Sequence, residues 1–148
     1  DPWQQVTSEL AYERSGPERF LSSFRVFVEL VRICGDDPSP HQAAAIGRIA
    51  SHFMTLRRMS LSVAGMLEAG KDVSVEAALV KELGNNFEKL LPEIARLVVP
   101  DLSAVDPDKQ RLFRETFEET LMLSPSFTLR GGTREIMRGV IARGLGLR

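Results

Sequence analysis

Apolar residues recur along the chain at the spacing of an α-helix, and no segment shows the alternation of a half-buried β-strand. Clusters of glycine, proline and small polar residues separate the periodic segments and set the ends of each helix. Three long helices and a shorter fourth, joined by short loops, predict an all-α fold, namely an antiparallel, up-and-down four-helix bundle with a short C-terminal helix. The predicted helices cover residues 6–34, 41–69, 74–99 and 107–124, and a last one begins after Gly131-Gly132 with Thr133 as its N-cap.

Each predicted helix carries an apolar stripe that we expect to face the core. In the second helix the stripe is Ile46, Ile49, Phe53, Leu56, Val63 and Leu67. In the third helix it is Leu79, Leu83, Phe87, Leu90, Ile94 and Leu97, and in the last helix it is Ile136, Val140 and Ile141.

One carboxylate of the first helical stretch falls on its apolar side. On a helical wheel Glu13 lies within an arc of about 80° that also holds Leu10, Pro17, Phe20, Phe24, Val28 and Val31, whereas Glu18 and Glu29 lie on the far side. Two interpretations remain open from the wheel. Glu13 forms an ion pair at the rim of the bundle, with Arg14, Arg57 or Arg58, or it is a general base, because desolvation raises the pKa of a carboxylate towards neutrality.

The composition narrows the function classes. The chain has 148 residues and a formal net charge of −1, which indicates one domain over 1–148 and argues against a nucleic-acid binder. Its single cysteine, Cys34, excludes a disulfide scaffold, and no residue at metal-ligand spacing accompanies His41 or His52, so we expect no metal site. No apolar run approaches the length of a membrane span. The chain begins at Asp1 rather than Met, and we therefore expect a fragment of a longer protein.

The C-terminal segment places two glycines directly before a helix. Such a turn brings backbone N–H groups close to a ligand, and a helix N-terminus favours anions, although the same sequence also suits a plain loop-to-helix turn. From Arg130 to Arg148 there are five arginines and one acid. We expect these arginines to form a solvated face, a subunit contact or a contact with cofactor phosphates.

Two segments resemble the acyl-CoA dehydrogenase family. Residues 129–147, Leu-Arg-Gly-Gly-Thr-Arg-Glu-Ile-Met-Arg-Gly-Val-Ile-Ala-Arg-Gly-Leu-Gly-Leu, are similar to its closing signature, a Gly-Thr-x-Glu/Gln-Ile turn that leads into an arginine-bearing helix. Trp3 followed by Leu10-Ala11-Tyr12-Glu13-Arg14 is similar to the entry into its C-terminal helical domain. The resemblance implies one domain of an FAD-dependent enzyme of fatty acid β-oxidation that desaturates an acyl-CoA thioester between Cα and Cβ, with negligible activity as an isolated fragment.

The resemblance also assigns roles. In many members the base is a Glu that precedes the Gly-Thr, where this chain has Gly131; a second branch carries its base in a Leu-x-x-Glu-Arg motif, which Glu13 matches. Gly131 would donate its backbone N–H to the thioester carbonyl, together with a flavin hydroxyl. The remaining implied roles are substrate binding for Arg14 and Arg130 and FAD binding for Thr133 and Glu135, with Glu135 expected to bond a hydroxyl or an arginine.

The resemblance implies three partners: the acyl-CoA substrate, an electron-transferring flavoprotein, and the other subunits of a homo- or hetero-oligomer that forms through the helices. It also implies a location in the bacterial cytoplasm. Two flavin-contacting motifs of many relatives, Arg-x-x-Phe-Gly and Gln-x-x-Gly-Gly-x-Gly, are missing, and Arg32-Ile33-Cys34-Gly35-Asp36 stands where the first would lie. An alternative function therefore stays open, in which the chain is a non-catalytic partner subunit or a helical interaction module of a hetero-oligomeric dehydrogenase.

Overall fold

The computed structural model describes residues 2–147 and, within the first helix, the side chains of Val6 and of residues from Glu9 onward; the side chain of Trp3 lies outside the described part. All regular structure in this range is helical, so the predicted all-α class is confirmed. Short 3₁₀ segments at Leu102–Ala104 and Ser124–Leu129 were not expected from the sequence. The α-helices are α1 Pro2–Ser15, α2 Glu18–Leu21, α3 Phe24–Cys34, α4 Pro40–Glu68, α5 Ser74–Val98, α6 Pro107–Leu123 and α7 Arg134–Gly144.

Residues with defined turn chemistry set the helix ends. Ser39 caps α4 in a capping box, in which its hydroxyl accepts from the Gln42 N–H and the Gln42 side chain accepts from the Ser39 N–H. Asp106 caps α6 in front of Pro107, as its sequence predicts. Gly70 follows α4 with a positive φ of 70°, which costs other residues energy that glycine avoids.

Helix α5 occupies the centre of the molecule, where it packs against α1, α2, α3, α4, α6 and α7. The larger apolar cluster lies along its C-terminal half and the smaller one along its N-terminal half. The larger cluster consists of Phe20, Val26, Leu30, Ile33, Ile49, Phe53, Leu56, Phe87, Leu91, Ala95, Val98 and Phe113. The smaller cluster consists of Ala11, Val63, Val73, Ala77 and Val80.

The first helical stretch is broken twice, and this changes which residues it buries. Helix α1 ends at Ser15, before Gly16-Pro17, and a second interruption at Ser22 and Ser23 separates α2 from α3. The wheel is correct for Phe20, which is buried, but the breaks shift the helical phase and the wheel fails beyond Ser23. Phe24 and Val31, which were expected inside, are exposed. Glu29, which was expected outside, is buried, and its Oε1 lies 2.7 Å from Arg32 Nη1.

The apolar stripe of α4 agrees with its prediction, since Ile49, Phe53, Leu56 and Val63 are buried. The stripe predicted for α5 is wrong in three of its members, because Leu83, Leu90 and Leu97 are exposed. In α7 the buried apolar residue is Met137, whereas the predicted core residue Ile136 is exposed. Both errors have the same cause, because the neighbours of a helix, rather than its own most apolar side, decide which face is enclosed.

Candidate functional site

Helix α5 buries a stripe of polar residues beside its apolar stripe. Lys81, Asn85 and Glu88 follow one another at the i, i+4, i+7 spacing, so their side chains share one face of the helix. All three are 0% exposed. Since an unpaired buried polar group costs free energy, the elements that cover this face must supply hydrogen-bond partners. These three residues are not singled out by the sequence pattern, because polar residues at this spacing usually form a solvated face.

Arg19 of α2 brings a buried cation to this region. Its side chain is 1% exposed, and its Nε donates to the main-chain oxygen of Glu13 at 2.8 Å. Its Nη2 lies 3.2 Å from Glu13 Oε1 and 3.4 Å from Glu18 Oε1. The ion-pair partner of Glu13 is therefore Arg19, and not Arg14, Arg57 or Arg58 as the sequence suggested. The Glu13 side chain is 43% exposed, so the apolar stripe does not desolvate its carboxylate. The charge of this carboxylate is balanced by Arg19 instead.

The Glu13 carboxylate meets the glycine turn that begins the C-terminal segment. Gly131 has a φ of 68°, and a Cβ placed on it would lie 3.3 Å from Glu13 Oε1 and 3.3 Å from Lys81 Cε. Arg14 donates from Nε to the Gly131 carbonyl at 3.0 Å. The N–H of Gly131 donates to none of the residues that the structure describes. The structure thus brings together two predicted catalytic residues that are far apart in the sequence, and a side chain at Gly131 would crowd the carboxylate.

Two residues of the polar stripe hold the backbone just before this turn. Lys81 Nζ lies 3.5 Å from the Thr128 carbonyl. The Asn85 side chain makes two hydrogen bonds in the orientation that suits its neighbours: its nitrogen donates to the Phe127 carbonyl at 3.1 Å, and its oxygen accepts from Lys81 Nζ at 2.8 Å. Two successive carbonyls of the C-terminal segment are therefore anchored to the central helix.

Glu88, the third residue of the stripe, pairs with Arg130. Arg130 Nη2 lies 3.0 Å from Glu88 Oε2, its Nη1 donates to the Ser22 hydroxyl at 3.0 Å, and its guanidinium stacks on the Phe127 ring. Burial raises the pKa of Glu88 to about 7, although Arg130 opposes this rise. Arg130, predicted to bind substrate, is thus engaged in fixing the segment that carries Gly131.

Charged side chains of both signs surround Gly131. Arg14, Arg19, Lys81 and Arg130 supply four cations, and four carboxylates lie beside them: Glu13 and Glu18 on Arg19, Glu82 near Lys81 and Glu88 on Arg130. Burial, together with the nearby Arg19 and Arg14, lowers the pKa of Lys81 to about 8. Arg14, which donates to the Gly131 carbonyl, would stabilise a group that becomes negative beside Gly131.

Glu13 lines a cleft between the C-terminal end of α1 and α4. Its volume is about 450 Å³, within the range of small-molecule sites, and the Gly131 turn is not part of its lining. The cleft and the Gly131 turn thus have Glu13 in common. The lining residues are Tyr12, Glu13, Ser15, Gly16, Pro17, Glu18, Ser60, Ala64 and Leu67.

The start of α7 does not fit a diphosphate. Hydrogen bonds from the Glu135 N–H and from the Thr133 hydroxyl lower the pKa of Glu135, so a carboxylate already occupies the first turn of this helix. Arg134 and Arg138 both pair with Glu82 of α5, at 3.2 Å and 3.1 Å. Thr133 and Glu135, which the resemblance assigns to FAD, therefore do not build a diphosphate site from the described residues.

The structure also bears on metal ions and membranes. Among residues 2–147 no three His, Cys, Asp or Glu side chains are grouped so as to hold a metal ion. None of the helices in the described range combines the length and apolarity needed to cross a bilayer.

Comparison with protein-family models, curated protein sequences and solved structures gives no match for this chain.

Proposed function

We propose that this chain forms one wall of an acyl-thioester site, in which Glu13 is the general base and Gly131 the oxyanion donor. The observation that carries the proposal is the closeness of the Glu13 carboxylate to the Gly131 turn, whose backbone N–H donates to none of the described residues. The proposal extends to the whole enzyme as an FAD-dependent acyl-CoA dehydrogenase, on the resemblance of residues 129–147 and of Leu10–Arg14 to that family.

The chemistry of this chain is a proton transfer. Glu13 would take a proton from the carbon next to the thioester carbonyl, and the C–H electron pair would become the enolate, whose oxygen accepts from the Gly131 N–H. The positive charge of Arg14, which donates to the Gly131 carbonyl, would stabilise that oxygen. Desaturation also requires a hydride acceptor. Because the start of α7 does not fit the diphosphate of FAD, the proposal for this chain ends at the proton transfer.

We also propose that α3, α4, α5 and α6 constitute the up-and-down four-helix bundle, with α1 and α7 packed against α5. The support is that each helix of this set contacts the next one along the chain, and that α6 returns to α3. This cycle of neighbours is the one that an up-and-down bundle forms.

The base assignment is tested by substitution in the full-length protein. Glu13→Gln keeps the shape of the side chain but removes its basicity, and we expect turnover of an acyl-CoA to fall about 10²–10⁴-fold. Glu18→Gln is a matched control, because Glu18 has a similar exposure and also pairs with Arg19 Nη2, without contact to Gly131. Equal turnover of the two variants would refute the proposal.

An apolar groove favours the second candidate, a non-catalytic partner subunit or helical interaction module. Leu83, Leu90 and Leu97 are exposed at a seven-residue spacing, which is the repeat of a helix that packs against another helix. Leu83 and Leu90 line a groove of about 530 Å³ between α4 and α5, with Phe87 at its base. This surface suits a partner helix.

The groove predicts association that one charge would disrupt. In sedimentation velocity, Leu90→Glu should reduce the size of the assembly that the full-length protein forms, because a carboxylate would enter the apolar interface. Leu61→Glu is the control, since Leu61 is exposed on α4 but does not line the groove. Unchanged sedimentation of the Leu90→Glu variant would exclude this surface as the interface.

A further inference from the structure

Lys81 occupies an unusual position for a lysine. Its side chain is 0% exposed, although lysine is rarely buried without an acidic partner. Its ammonium group is bonded instead to the carbonyl of Thr128 and to the side chain of Asn85. The Lys81 side chain also lies beside Gly131, because a Cβ placed on Gly131 would be 3.3 Å from Lys81 Cε.

The segment that Lys81 supports contains two glycines and is held in place by side chains of other helices. Gly131 and Gly132 have φ values of 68° and 107°. Because glycine has no Cβ, this stretch of backbone can adopt many conformations when nothing holds it. The described residues hold this segment through Lys81 and Asn85 at the Phe127 and Thr128 carbonyls, and through Arg19 and Arg14 at the Arg130 and Gly131 carbonyls. The Arg130 side chain adds its bonds to Glu88 and Ser22. Lys81 and Asn85 bond to each other as well as to the segment, and Lys81 is the one whose side chain also reaches Gly131.

We propose that Lys81 is a positioning residue, which fixes the turn of residues 127–132 and thereby holds Gly131 against the Glu13 carboxylate. The positioning itself is independent of any reaction, whereas its consequence for catalysis rests on the proposed function. Lys81 touches neither the cleft beside Glu13 nor solvent, so it acts through the backbone of the turn.

The charged groups that face Lys81 give this role a pH signature. Arg14 and Glu13 face it from α1, Arg19 from α2 and Glu82 from α5, and burial outweighs the two acids, so that the pKa of Lys81 is about 8. When Lys81 loses its proton, its hydrogen bonds to Asn85 and Thr128 lose their charge assistance. The turn should therefore respond to pH near 8, and this response should disappear when Lys81 is replaced.

The positioning role is tested by NMR on the 148-residue chain. In Lys81→Met we expect the backbone order parameters of Gly131 and Gly132 to fall from about 0.85 to below about 0.6, while those of α4 stay unchanged. Lys89→Met is the matched control, because Lys89 is an exposed lysine of the same helix. Unchanged order at the two glycines, or a loss of order that extends through α4, would overturn the proposal.

A second measurement needs no variant and applies even if Lys81→Met fails to fold. The amide signals of Thr128 and Gly131 in the unmodified chain should shift in a single step with a midpoint near pH 8, together with the ¹³Cε signal of Lys81. If Lys81 titrates and these amides do not move with it, Lys81 does not position the turn.

Turnover of the full-length protein separates this proposal from the proposed function. Lys81→Met should lower kcat and leave KM nearly unchanged, because the substrate still binds but Gly131 is misplaced. A positive NMR result combined with normal turnover of Glu13→Gln would refute the proposed function and leave the positioning intact. A negative NMR result combined with an inactive Glu13→Gln would refute only the role of Lys81.

Discussion

Glu88→Gln tests whether the polar stripe of α5 is buried as described. The Glu88 side chain is 0% exposed, one of its oxygens has no hydrogen-bond partner among the described residues, and its pKa is raised from 4.5 to about 7. Because the folded state holds the proton more tightly than the unfolded state, stability due to this group is highest below pH 4.5 and is lost as the pH rises towards 7. A pKa that rises from 4.5 to about 7 corresponds to a loss of about 3 kcal/mol in the free energy of unfolding across this pH range.

Glutamine imitates the protonated acid and does not titrate, so the variant should lack this pH dependence. The free energy of unfolding, measured by urea denaturation followed by circular dichroism between pH 4 and pH 8, should fall in the original chain by about 3 kcal/mol more than in Glu88→Gln. Glu93→Gln is the control, because Glu93 lies on the same helix but is exposed and pairs with Arg96. If the unfolding free energies of Glu88→Gln and of the original chain change with pH by the same amount, within about 1 kcal/mol, Glu88 is not buried as an acid with a raised pKa.

Two further predictions concern glycines, and urea denaturation checks both. Gly84→Ala should destabilise the fold by about 1–3 kcal/mol, because its Cβ would overlap the Arg19 carbonyl oxygen. Gly47→Ala, on the open surface of α4, should stabilise the fold by up to about 1 kcal/mol. If Gly47→Ala were the more destabilising of the two, the packing of α2 on α5 would be contradicted. Gly131→Ala should cost about 1–2 kcal/mol for its positive φ alone, and an unchanged unfolding midpoint would show that the turn has another conformation.

The sequence predicts the helices well where local chemistry decides. The cap at Asp106 and the positive φ of Gly70 act within a few residues of their own position, so their effect can be inferred from a short window. The stripe of α4 is also a local pattern, and the residues that it places inside are buried or half-buried.

The polar part of the site depends on contacts between residues far apart in the chain. Lys81, Asn85 and Glu88 are buried because the carbonyls of Phe127 and Thr128 and the guanidinium of Arg130 meet them from another segment. No window of sequence contains that information. Glu13 and Gly131 were singled out from a family resemblance, and the structure brings them together, but Arg19 was missed because a short helix after Pro17 had not been foreseen.

The most direct test of the account is exchange of the α-proton, which requires the base and the oxyanion donor but no hydride transfer. The full-length protein is incubated with an acyl-CoA in D₂O without an electron acceptor, and mass spectrometry measures deuterium at the carbon next to the thioester. We predict incorporation with the original protein and with Glu18→Gln, and none above the uncatalysed rate with Glu13→Gln. Incorporation by Glu13→Gln at the rate of the original protein would contradict the assignment of Glu13 as the base.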